Sequence, residues 1–145
     1  MNNFSRDTST GLRFEEEVKI NQKGIDVSKH NLYRYLKSKN INYLDHISRK
    51  LLPDEAYIDE ESSSLYIYEK KCQYSHGSVD EKPQTCAFKI MQFRKLAQPL
   101  HIKNVYYTYV FNDWFKRPEY KDMLEYIKSV DGCDYFFWED LKNAN

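Results

Sequence analysis

Apolar and polar positions alternate most clearly between Leu51 and Gln73, where the period is that of a strand. Two apolar runs, Ala56-Tyr57-Ile58 and Leu65-Tyr66-Ile67-Tyr68, flank the polar segment Asp59-Glu60-Glu61-Ser62-Ser63-Ser64. This pattern predicts a β-hairpin with an irregular loop. Folding back midway, between Glu61 and Ser62, sets Asp54 opposite Glu69, whereas a slip of one residue would move every pairing. Opposed strand residues share a face with Cβ atoms about 4.5–5.5 Å apart, and two like charges there destabilise the sheet unless something neutralises them. A divalent cation would do so. The period of two also sets Glu69, Lys71 and Gln73 on one face, so two carboxylates, an ammonium and an amide are presented together. Taken singly, Pro53-Asp54 is a common turn signal and Glu69-Lys70-Lys71 a common solvated edge. Their combination around one hairpin makes a candidate site.

Elsewhere the spacing is mostly helical. A polar stretch, residues 1–9, reads as a mobile tail, and Thr10 is placed to cap a helix running to Lys23, with Phe14 and Val18 inward and Gly24 as its stop. Ser28 is placed to cap a helix over 29–39, with Leu32, Tyr35 and Leu36 on one stripe and Lys29, Arg34, Lys37 and Lys39 on a solvent face. The stretch 41–52 reads as a strand leading into the hairpin, with a short turn of helix before it as the alternative. Ser78 and Glu81 have capping-box spacing, yet Pro83 favours a helix starting at Asp80 and running to Ala97, where the proline falls in the first turn. Cys86, Ile90, Phe93 and Ala97 form its buried stripe, leaving Lys82, Lys89 and Lys95 for solvent or phosphate. Val105–Phe111 predicts a central strand, Pro118–Val130 a helix, and Tyr135–Trp138 a last short strand. The expected fold is α/β, a mixed central β-sheet flanked by helices, in a single domain over 10–145.

Composition bounds these expectations. A chain of 145 residues, 41% hydrophobic and 30% charged, is long enough for one core and too apolar to be disordered. Thirteen Tyr and eight Phe against four Gly imply a core of large aromatic side chains. No apolar run approaches the ~20 residues that span a bilayer, and the polar start lacks signal-peptide form, so a cytoplasmic protein with no membrane association is expected. Cys72, Cys86 and Cys133 are odd in number and widely spaced, which predicts free thiols rather than a disulfide framework or a zinc site. Lysine and arginine together balance aspartate and glutamate at 22 each, which counts against avid nonspecific nucleic-acid binding.

Pro53-Asp54 with Glu69-Lys70-Lys71 resembles the motif of the PD-(D/E)xK nuclease superfamily, which has the restriction-endonuclease-like fold. Gly11-Leu12-Arg13-Phe14-Glu15 resembles the helix that carries an accessory acidic residue in that fold, and Gln73 stands where many members have a glutamine. The run from Tyr68 to Phe93 and the later Asn112-Asp113-Trp114-Phe115 are similar to a group of small bacterial and phage nuclease-like proteins, so the resemblance covers most of the chain. It implies a restriction-endonuclease-like core and metal-dependent hydrolysis of DNA. Asp54 and Glu69 would ligate Mg²⁺, with Mn²⁺ as a substitute, and Glu15 would hold a second ion or a water. Lys71 would orient or deprotonate the attacking water, two neighbouring carboxylates favouring its protonated, electrostatic role. Gln73 would position water or that lysine. Gly77-Ser78 would offer backbone N–H groups to a phosphate, and Lys82 and Lys89 its basic contacts. Cleavage of both strands by so small a domain implies a homodimer. The rival expectations are a catalytically silent nuclease-fold module that binds DNA or protein, and a purely protein-binding accessory domain.

Overall fold

The hairpin forms in the expected register. The computed structural model describes residues 13–77 and 80–144. Strands β2 (Glu55–Asp59) and β3 (Ser64–Lys71) pair antiparallel with Glu55 opposite Tyr68, Tyr57 opposite Tyr66 and Ile58 opposite Leu65. The loop between them is closed by Asp59, whose carboxylate accepts from Glu61 N at 3.1 Å and Ser62 Oγ at 2.9 Å, an aspartate holding a turn through its own following residues.

Around this hairpin lies a five-stranded mixed sheet in the order β1-β2-β3-β4-β5, flanked by helices: an α/β fold. β1 (Ile25–Asp26) joins β2 antiparallel, whereas β4 (Asn104–Phe111) and β5 (Cys133–Phe137) continue the sheet parallel to β3. Parallel neighbours need crossover connections. Helix α3 (Cys86–Ala97) lies between β3 and β4 in the chain, and α4 (Lys121–Ser129) between β4 and β5. Helix α2 (Asn31–Ser38) follows β1, α5 (Trp138–Ala144) closes the described chain, and residues 13–17 form α1. Alternation along the strands puts Ile67, Tyr107, Tyr109 and Phe111 on the face that meets Leu32 and Leu36 of α2, Ile90, Phe93 and Leu96 of α3, and Ile127 of α4 in one buried core. The other face is crossed near β2 and β3 by the chain from Glu15 to Gln22, through hydrogen bonds to Glu55, Lys70 and Tyr68.

Several expected boundaries move, each for a tertiary reason. The first helix ends at residue 17 rather than Lys23, because the Glu55 carboxylate accepts the amides of Ile20 and Asn21 at 3.0–3.1 Å and holds that backbone out of the helix. Gly24 opens β1 instead of stopping a helix. Its φ is +139°, and a Cβ there would lie 2.7 Å from the Ile58 carbonyl oxygen, so only glycine lets β1 approach β2. No strand forms at 41–52. The edge of β2 is taken by β1, and the Leu51 amide and carbonyl are both satisfied by the Tyr33 hydroxyl, at 2.6 and 2.7 Å. Ser28 does not cap α2 with its side chain; its Oγ accepts from Ala56 N at 3.0 Å, and the helix starts at Asn31. Pro83 sits at the start of a 3-10 turn, Lys82–Thr85, before α3. Trp138 begins α5 rather than ending β5. The three cysteines are free: Cys86 and Cys133 are buried, and Cys72 is half-buried. Among the described residues no helix is long and apolar enough to cross a membrane.

Candidate functional site

Asp54 sits at the bend that delivers the chain into β2, and Glu69 and Lys71 lie near the end of β3 on the core-facing side of the sheet. Asp54 Oδ2 accepts from Lys70 N at 2.8 Å, so a side chain continues the hairpin where the backbone ladder stops. This bond fixes Asp54 close to Glu69. Glu69 is buried, with Tyr109 its neighbour on β4. Its pKa stands well above the ordinary carboxylate range, first because burial penalises the charge and then because the Asp54 carboxylate repels it; Lys71 opposes the shift. Glu69 also raises the hydroxyl pKa of Tyr107 and Tyr109, after burial itself.

Lys29 meets this pair from the opposite side. Its Nζ is 3.1 Å from Asp54 Oδ1 and 3.5 Å from Glu15 Oε2, and its backbone amide donates to Pro53 O at 2.8 Å. Burial alone would lower the Lys29 pKa, but Asp54 and then Glu15 more than offset that and raise it. Glu15 is half-buried while Glu16 and Glu17 are exposed, so of the three adjacent glutamates the first turns inward. The position of α1 is set from below by Lys70, whose Nζ donates to the Glu15 carbonyl at 3.2 Å and pairs with Glu55 Oε1 at 2.8 Å. Glu55 accepts further from the Tyr57 hydroxyl and the Ile20 and Asn21 amides. Burial by itself would raise its pKa; Lys70 and these other donors win, and the carboxyl is held below the usual range. A cavity of about 360 Å³ opens here, lined by Glu15, Lys19, Asp26, Lys29, Asp54 and Lys70 among others.

The structure thus brings Glu15, Asp54, Glu69 and Lys71 to one end of the hairpin. It treats the other expected residues differently. Gln73 is buried beyond the end of β3; its backbone exchanges hydrogen bonds with the Asn112 side chain at 3.1 and 2.6 Å, and its amide packs where a Cβ on Gly77 would fall. Ser78 lies outside the described residues. Lys82 is exposed on the 3-10 turn and Lys89 is half-buried on α3. Lys29 and the Glu55–Lys70 pair were missed as site residues by sequence reasoning. Strand alternation did separate Lys70 from Lys71, but nothing local marks Lys29, whose role depends on the return of the chain at Pro53.

A larger cavity, about 660 Å³, lies elsewhere, between the loop at His76 and α4. Its walls carry Asp80, Glu81, Glu119 and Asp122, and its one histidine, His76, is 3.4 Å from both Asp80 and Glu119. That wall has no lysine or arginine to receive a phosphate, whereas the smaller cavity beside Asp54 sets Lys19, Lys29 and Lys70 among Glu15, Glu16, Asp26, Asp54 and Glu55; Glu69 and Lys71 do not line it.

Asp54 and Glu69 offer oxygen donors only, the donor type preferred by a hard divalent cation such as Mg²⁺, which commonly takes one or two carboxylates and completes its shell with water or phosphate. Among the described residues no three His, Cys, Asp or Glu side chains converge as a metal cage. The fit is therefore to a two-carboxylate site, and the ammonium of Lys29 already sits 3.1 Å from Asp54 Oδ1. Comparison with known proteins found no matching family model, no matching curated protein and no matching solved structure.

Proposed function

We propose that the protein is a metal-dependent endonuclease that hydrolyses DNA phosphodiester bonds at the Asp54–Glu69 end of the hairpin. The observation that carries this reading is the buried Glu69 carboxyl beside the Asp54 carboxylate, which Lys70 N fixes at the hairpin end at 2.8 Å, with Lys71 on the same strand face. Two opposed carboxylates at the end of a central hairpin are a cost to the fold that structure alone does not require. The resemblance to the PD-(D/E)xK superfamily in Pro53-Asp54 and Glu69-Lys70-Lys71 adds support, as does the order of a first helix, three antiparallel strands with α2 between the first two, a crossover helix and a parallel strand.

Asp54 and Glu69 would hold Mg²⁺ or Mn²⁺. When bound, the ion supplies charge neutralisation at the phosphoryl oxygens and acidification of water. Lys71 is half-exposed on the strand face of Glu69 and offers its ammonium to the phosphate as a positive charge. Glu15, which lines the cavity, would accept a hydrogen bond from water or ligate a second ion. Lys82 and Lys89 serve as phosphate contacts that position the strand. Action on both strands requires a homodimer, and the expected setting is cytoplasmic.

Incubating supercoiled plasmid and single-stranded DNA with the protein and Mg²⁺ or Mn²⁺ tests the reading. Metal-dependent nicking or cutting is expected, abolished by EDTA and reduced about 10²–10³-fold by Glu69→Ala or Lys71→Ala. A folded protein that gives no product with either metal is a binding module, and the nuclease reading is then wrong.

A further inference from the structure

Lys29 is placed with more care than a solvent-facing lysine requires. Its φ is +51°, a left-handed conformation that side chains other than glycine and asparagine seldom adopt, and its amide is tied to Pro53 O at 2.8 Å. The backbone is thereby fixed beside Asp54 whatever the side chain does. From there the ammonium spans Asp54 and Glu15 at 3.1 and 3.5 Å, and its own side chain is still 50% exposed while that of Asp54 is only 12% exposed. One side of the Asp54 carboxylate is taken by Lys70 N and the Glu69 carboxyl region, the other by Lys29. The same oxygens are the ones a divalent ion would need.

We infer that Lys29 is the resident counter-ion of the site, the cation that a divalent metal displaces from Asp54 and Glu15. The inference rests on the nuclease reading and deepens it. A half-exposed lysine on a flexible stem can leave without disturbing the fold, since its amide anchor to Pro53 is independent of its ammonium. While seated it holds the Asp54 carboxylate in place at 3.1 Å, so the metal meets a formed site. Once displaced, the ammonium remains within one side-chain length of the carboxylates and faces the cavity, where it becomes available to a phosphate. A like-charged competitor also raises the metal concentration at which the site fills.

Titration with Mn²⁺ alone, followed by calorimetry, separates the possibilities. Lys29→Met is expected to bind Mn²⁺ about fivefold or more tightly than wild type, the effect of removing an ion pair worth about 1 kcal/mol, and Lys29→Arg to stay near wild type. A Mn²⁺-induced rise in melting temperature larger in Lys29→Met than in wild type is the matching stability readout. Equal or weaker affinity in Lys29→Met overturns the role given to Lys29 and leaves the nuclease reading standing. Absence of Mn²⁺ binding by all three proteins overturns both. In the wild-type protein, independent of any variant's folding, the Lys29 Cε resonance should move on addition of Mg²⁺; a resonance that stays in place while the ion binds overturns the inference.

Discussion

Glu55 and Glu69 stand on the two paired strands of one hairpin, each next to a lysine in space, and their surroundings drive them in opposite directions. Glu55, on the face crossed by residues 15–22, is matched: Lys70 at 2.8 Å, two backbone amides and the Tyr57 hydroxyl all donate to it. Its side chain and that of Lys70 are 5% and 3% exposed, so this is a buried ion pair with its remaining lone pairs satisfied. Glu69, on the core face, is mismatched. Its carboxyl meets another carboxyl, with Lys71 only partly compensating. Strand alternation is what separates the two: Lys70 and Lys71 are adjacent in sequence yet serve opposite faces. One face uses charge to hold the chain together, and the other sets two carboxyls side by side with only partial compensation.

Breaking the matched pair should have the largest effect on the fold. Glu55→Ala leaves Lys70 buried without its partner and frees the Ile20 and Asn21 amides, and is expected to cost about 3–5 kcal/mol in urea unfolding. A double variant, Glu55→Leu with Lys70→Met, should recover much of that loss, because an apolar pair of similar volume has no desolvation penalty to overcome. If the single variants unfold no more easily than wild type, the contrast drawn between the two faces is lost.

At Glu69 the sign reverses. Glu69→Gln keeps the shape and can donate to Asp54, and removes a buried acid that is costly to ionise. Without metal it is expected to stabilise the protein by on the order of 1–3 kcal/mol while losing metal-dependent cleavage. The pH dependences separate the two sites further. The Glu55 pKa is depressed in the folded state, so its contribution is full above the unfolded carboxylate pKa and is lost as pH falls through the lower folded value. The Glu69 pKa is raised, so the metal-free protein loses stability as pH climbs from the unfolded carboxylate value toward the raised folded one. Glu69→Gln should flatten the second limb and leave the first untouched, as measured by melting temperature from pH 3 to pH 9. A second limb that survives in Glu69→Gln would assign it to another group.

The hairpin register was legible because the polar segment fixes its centre and the apolar alternation admits one pairing; Asp54 opposite Glu69 followed from it. The buried stripe of α3 was likewise readable from Cys86, Ile90, Phe93 and Ala97, all buried. β1 was not readable. Two residues carry no periodicity, and its existence depends on Gly24 passing within contact of Ile58, a relation between segments 34 positions apart. The early end of α1 was hidden for the same reason, since the groups that capture Ile20 and Asn21 belong to Glu55. Lys29 read as one of four basic residues on an amphipathic helix, and only its left-handed backbone and the return of Pro53 set it apart.

The smallest expected effect concerns basic residues away from the hairpin. Lys82 is exposed and Lys89 half-buried, and both stand on the stretch that follows β3, whereas Lys29 and Lys70 are already engaged by Asp54 and Glu55. An ammonium held by a carboxylate releases no counterion when DNA arrives, but a solvated one does. Lys82→Ala and Lys89→Ala should therefore weaken DNA binding only a few-fold, each lowering the slope of log affinity against log salt by about 1, with the cleavage rate of bound DNA unchanged. Lys29→Met should leave that slope nearly as it is in the absence of metal. The reverse result, a salt slope that responds to Lys29 and ignores Lys82 and Lys89, would place the DNA over the cavity at Asp54 alone and remove α3 from the binding surface.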